Sequence, residues 1–166
     1  MSTRQIAYVA VLAALYVVLG QVVKFLPNPM VPGAIIALNM VVVVISGILL
    51  GPRAGALVGL IGTGVNGFFT PAGNAYERFA ILPHTIMGLS AGLVGRRSAV
   101  AGSLTILVGH VLNILAFILA GLLPASDIIG KVFIYGLAFE TVVDIVVILA
   151  AVPLIRPLVQ RAAAPA

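Results

Sequence analysis

Cysteine and tryptophan are absent from this chain, and charge is scarce. Without cysteine there is no disulfide and no thiolate metal site. Without tryptophan, aromatic contact to a ligand must come from Phe or Tyr. Charged residues make up 8% of the 166 residues, against about a quarter in an ordinary soluble domain. Acid is scarcest: four Asp and Glu stand against nine Lys and Arg, giving a formal charge of +5. Such an excess can signal nucleic-acid binding. Here the basic residues stand singly or in pairs between apolar runs, which is how topology signals are placed, so no nucleic-acid partner is expected.

Several chemical motifs are missing too. Gly62-Thr63-Gly64 has neither the lysine of a phosphate-binding loop nor the spaced glycines of a dinucleotide fingerprint. There is no Gly-x-Ser-x-Gly elbow and no His-Glu-x-x-His. His110-x-x-Asn113 with Glu140 is too sparse a set to specify a hydrolase or metal centre. No enzyme activity, cofactor or metal is therefore expected.

What the chain does have is apolar sequence, 62% of it. No soluble fold can hide that much from water, so lipid is the solvent for much of it. Six runs are long enough, or nearly so, to cross a bilayer. They cover about Gln5 to Phe25, Ala34 to Leu50, Ala54 to Thr70, Tyr76 to Gly95, Ala99 to Leu123 and Ile129 to Ile155. Leu26-Pro27-Asn28-Pro29, Gly51-Pro52-Arg53, Pro71-Ala72-Gly73-Asn74, Arg96-Arg97 and Pro124-Ala125-Ser126-Asp127 separate them. The expectation is an all-α integral membrane protein: residues 1–166 as one bundle of six transmembrane helices in a single domain. The third run carries five glycines, which weaken a helix in water but let helices approach closely in lipid. With six spans, Arg4, Arg53, Arg96, Arg97, Arg156 and Arg161 share one side, and Lys24, Arg78 and Lys131 the other. That bias predicts cytoplasmic termini.

On this topology most aromatics fall in the outer half of the membrane, which suits either an outward-facing pocket or packing among loops. Polar residues inside apolar helices are costly, so they face an interior or a cavity. Asn39 and Asn66 lie toward outer helix ends, and His84 in the outer half of the fourth helix. His110 and Asn113 share a face of the fifth, Glu140 and Asp144 a face of the sixth. With Tyr76, Phe79 and Tyr135 above them, Asn39, Asn66, His84, His110, Asn113 and Glu140 form the expected substrate site. Glu140 and His110 fall at similar depth and could pair with each other instead. Asp144 falls deeper and reads as structural, bonded to a neighbouring helix. Ala7, Ala10 and Ala14 make a small-residue stripe on the first helix, either an internal packing face or a docking surface.

The chain resembles the substrate-binding S component of energy-coupling factor (ECF) transporters, which take up vitamins. The resemblance spans nearly the whole chain. It lies in Arg4-Gln5-Ile6-Ala7 through Ala14, in Ile48-Leu49-Leu50-Gly51-Pro52-Arg53-Ala54-Gly55, in Met87-Gly88-Leu89-Ser90-Ala91-Gly92 through Arg97, and in Ala151-Val152-Pro153-Leu154. It implies a multi-pass protein of a prokaryotic plasma membrane that captures a vitamin-like ligand outside. It also implies docking, through Ala7, Ala10 and Ala14, onto a transmembrane T component carrying ATP-hydrolysing subunits. Cobalt and nickel members carry a histidine near the N-terminus, whereas the first here is His84. Glu77, Glu140 and the aromatics suit a flat cationic or amide-bearing ligand, while Arg78 and Lys131 suit a carboxylate. Two other readings stay open: a self-sufficient secondary transporter, proton-coupled through Glu140 and His110, and a structural membrane subunit without a soluble ligand.

Overall fold

The computed structural model describes residues 1–29, 35–71, 73–124, 126 and 131–163. Ala34 and Ile129, where two helices were expected to begin, lie outside them, as does Asp127. The described residues form eight helices: α1 Thr3–Val23, α2 Asn39–Leu50, α3 Pro52–Phe69, α4 Ala75–Phe79, α5 Ile81–Gly95, α6 Ala99–Ser103, α7 Ile106–Leu119 and α8 Lys131–Ala163. Three stretches are long and apolar enough to cross a membrane: Thr3–Val23, Ala99–Leu119 (α6 and α7 together) and Ile134–Val159.

Helix α1 opens on a capping box, with Ser2 accepting from the Gln5 amide and Gln5 from the Ser2 amide. It buries Val9, Ala13, Tyr16, Gly20 and Val23, a stripe at spacings of three and four. Helix α2 has no such stripe because Asn39 through Ile48 are all buried. It is the central helix, and its valines count for packing more than for propensity. Gly51, at φ 97°, takes the left-handed turn that lets α3 fold back directly behind α2. Helices α2, α3 and α5 then meet backbone to backbone: a Cβ on Gly47 would lie 2.5 Å from the Gly88 carbonyl, and one on Gly88 would strike that of Gly55. The glycine-rich third run thus forms an 18-residue helix, because Gly55, Gly59, Gly62 and Gly67 fall where neighbours come close.

The fourth and fifth runs are each split in two, at Ala80 and at Leu104-Thr105, and the fifth ends at Leu119. Two other boundaries differ most from the sequence reading. Helix α2 starts at Asn39. Ahead of it Ile35 bridges Pro27, the Ile36 amide bonds Leu26 O at 3.0 Å and the Ala37 amide bonds Glu140 Oε1 at 2.8 Å. These residues are bonded to other parts of the chain and so stand outside the helix. Helix α8 runs past Ile155 to Ala163 with Pro153 and Pro157 inside it. The two prolines remove donors without ending the helix, as happens in membrane helices. Outside the bundle, large apolar side chains such as Val11, Leu82, Leu93, Val142 and Leu154 are exposed. An apolar outer surface of this extent is what lipid contact requires.

Candidate ligand site

Two groups of buried polar side chains sit inside the bundle, joined by one turn of α7. The first centres on His84 of α5, which is 3% exposed. Its Nδ1 lies 2.9 Å from both Tyr16 Oη of α1 and Thr63 Oγ1 of α3. Its Nε2 lies 3.1 Å from Asn113 Nδ2 of α7. With Asn113 donating, Nε2 accepts, and the proton of a neutral ring sits on Nδ1. Tyr16 also donates to Glu77 Oε2 at 3.3 Å, which links the cluster to α4. Gly62 makes this possible, since a Cβ there would lie 2.9 Å from the Tyr16 ring.

The second group lies between α7 and α8. His110 Nε2 is 3.5 Å from Asp144 Oδ2, and both residues are buried. The sequence left open whether His110 and Glu140 bind a ligand or pair with each other. In the structure Glu140 accepts from the Ala37 amide, and Asp144 is the carboxylate beside His110. Asp144, expected below the pocket, joins this group because it shares the face of α8 that carries Glu140. One donor atom each from His110, Glu140 and Asp144 lie within 4.8 Å of one another. These three residues could hold a cation, a capacity the sequence reading weighed for His110 and Glu140, without Asp144, and set aside.

The other expected residues divide. Asn39 is 1% exposed and Asn66 fully buried. Asn66 Oδ1 accepts from Gln21 Nε2 at 2.8 Å and from Thr70 Oγ1 at 3.0 Å. Tyr76, Phe79 and Tyr135 are 45%, 48% and 57% exposed and stand outside the two groups. Tyr76 donates to Leu122 O and meets Phe117 edge-on at 5.0 Å, while Phe79 lines an apolar groove between α5 and α7. Arg78, expected at the mouth, donates to Gly67 O and lies over the Phe68 ring. The sequence reading left out Tyr16 and Thr63. A phenol and a hydroxyl within apolar runs were the available signal.

Several buried polar atoms here have no hydrogen-bond partner: Asn39 Oδ1, Asn66 Nδ2, Asn113 Oδ1 and Thr141 Oγ1, besides His110 Nε2 and the Asp144 oxygens. Buried polar atoms are normally paired, and an interior left unpaired in this way is open to hydrogen bonds from a ligand or water. The arrangement offers a set of acceptors and donors inside an apolar bundle. It contains no nucleophile activated by an adjacent base in a strained turn.

The comparisons with known proteins give one match. Residues 1–160 match the family described as ECF-type riboflavin transporter, S component. No curated protein and no solved structure matches the chain. That family is one of transporter subunits rather than enzymes, and its membrane setting agrees with the long apolar helices. With all but the last few residues matched, the chain belongs to the S component family of ECF-type riboflavin transporters.

Proposed function

We propose that this chain is the substrate-binding subunit of an ECF importer that captures riboflavin outside a prokaryotic cell. On this reading it delivers the vitamin through a T component and ATP-hydrolysing subunits. The observation that carries the proposal is the family match over residues 1–160. The domain is a single bundle of six spans: α1, α2, α3, α4 with α5, α6 with α7, and α8. The bias of the arginines to one side supports cytoplasmic termini.

Riboflavin is flat and neutral and carries an imide and several hydroxyls. Its imide fits the amide-bearing ligand that Glu77, Glu140 and the aromatics suggested, rather than the carboxylate that Arg78 and Lys131 suggested. The unpaired atoms of Asn39, Asn66 and Asn113 support such a ligand, since amides can both donate to and accept from an imide edge. His84, His110 and Glu140 complete the polar part of the site, and Tyr76, Phe79 and Tyr135 are the aromatic residues proposed toward its mouth. The docking surface is the stripe Ala7, Ala10 and Ala14. All three are exposed, while the opposite face of α1 is buried in the bundle. That exposure favours docking over internal packing.

Titration of the purified protein with riboflavin, followed by quenching of flavin fluorescence, tests the ligand. Saturable binding at one flavin per chain is the expected result. Asn113→Ala should weaken it roughly ten- to hundredfold, the effect of about 1–3 kcal/mol for a buried hydrogen bond. A folded protein that binds no flavin would refute the assignment of the ligand.

A further inference from the structure

The end of the bundle away from the candidate site holds a cleft of about 1170 Å³. Four arginines from four separate parts of the chain line it: Arg4 at the start of α1, Arg53 in the first turn of α3, Arg96 after α5 and Arg156 near the end of α8. Among the described residues no carboxylate lines it. None of the four guanidinium groups has a hydrogen bond or ion pair within the described chain.

The chain does not supply the missing anion from its described residues. It has four acidic residues. Glu77 is engaged by Tyr16, Glu140 by the Ala37 amide and Asp144 by His110. Asp127 lies outside the described residues. Four positive charges converge on one cavity, and in isolation they repel one another. An anion from outside removes that cost. The α3 N-terminus adds to the attraction, because Gly51 to Ala54 line the cleft and no side chain caps that helix.

The wall decides what kind of anion fits. Leu49, Leu50 and Val159 line the same cleft beside the arginines. The apolar span of α1 begins at Thr3 and that of α8 ends at Val159, so the cleft lies where hydrocarbon gives way to headgroups. We propose that it binds the phosphate headgroup of an anionic phospholipid, with acyl chains against the apolar wall. Basic pockets between helices at a membrane surface suit such headgroups. The inference does not depend on which vitamin the protein binds.

Native mass spectrometry of the detergent-solubilised protein, with phosphatidylglycerol and phosphatidylcholine added separately, reads the preference. Phosphatidylglycerol should be retained at lower concentration than phosphatidylcholine. Arg53→Gln and Arg156→Gln should each weaken its retention about fivefold, and Arg53→Lys should keep most of it. Arg97 lies at the same end but does not line the cleft, so Arg97→Gln, with the same change in charge, should leave retention unchanged. Equal retention of the two lipids overturns the proposal, as does an equal loss in Arg97→Gln. Displacement of the lipid by an equal concentration of inorganic phosphate would identify free phosphate as the ligand and overturn the lipid assignment.

Discussion

Ala14→Leu should abolish co-purification of this chain with its T component while leaving riboflavin binding intact. Ala14 lies on the exposed face of α1 with Ala7 and Ala10, opposite Val9, Ala13, Tyr16 and Gly20. A leucine there projects away from the chain's own core and should not disturb the fold. A partner helix that packs against alanines has no room for the three added carbons. Overpacking of a close contact costs about 1–3 kcal/mol, roughly ten- to hundredfold in the association constant. Pull-down against the tagged T component, with flavin titration on the same preparation, separates the effects. Loss of flavin binding with assembly untouched would mean that the stripe serves the fold rather than the partner.

Gly88→Val should have the largest effect on stability. A Cβ at Gly88 would strike the Gly55 carbonyl and lie 2.8 Å from Val43 Cγ1. The obstacle is mostly backbone, which cannot turn aside as a side-chain tip can. Helices α3 and α5 would have to separate, and α2 packs against both. The expected cost is at or above the usual range for overpacking, about 3 kcal/mol, seen as a lower melting temperature in detergent or as aggregation. Gly64, in the facing helix α3, makes a control: a Cβ there meets nothing within 4 Å. Gly64→Ala should be neutral or stabilising by up to about 1 kcal/mol, the propensity difference between the two residues. Equal damage from both substitutions would contradict this account of the packing.

These two cases show what could be read from the sequence. The glycines of α3 and α5 and the alanines of α1 stand out by spacing, and spacing survives into structure because helical geometry fixes which residues share a face. The same logic placed His110 with Asn113 and Glu140 with Asp144. It could not say which residue meets which across helices. A depth estimate left Glu140 either to a ligand or to His110, and did not foresee that the Ala37 amide holds Glu140 and that Asp144 lies beside the imidazole. The amide of Ala37 belongs to a non-helical lead-in that the apolar run Ala34–Leu50 disguised as helix. Tyr16 was hidden for a related reason: a tyrosine among valines reads as packing until Thr63, His84 and Glu77 are seen around its hydroxyl. At the other end the sequence reading closes the sixth run at Ile155, whereas α8 continues through Pro157 to Ala163. Helix type and approximate extent are local properties. Partner choice among buried polar groups is not.

The central claim is that the chain captures riboflavin but needs partners to move it. Uptake of labelled riboflavin by cells lacking their own flavin transport tests this most directly. The chain should be expressed alone and then together with a T component and its ATPases. Accumulation only in the second case is the predicted result. Equal accumulation by the chain alone would make it a self-sufficient transporter, and no accumulation in either, with the complex assembled, would leave a structural subunit. Either result contradicts the account.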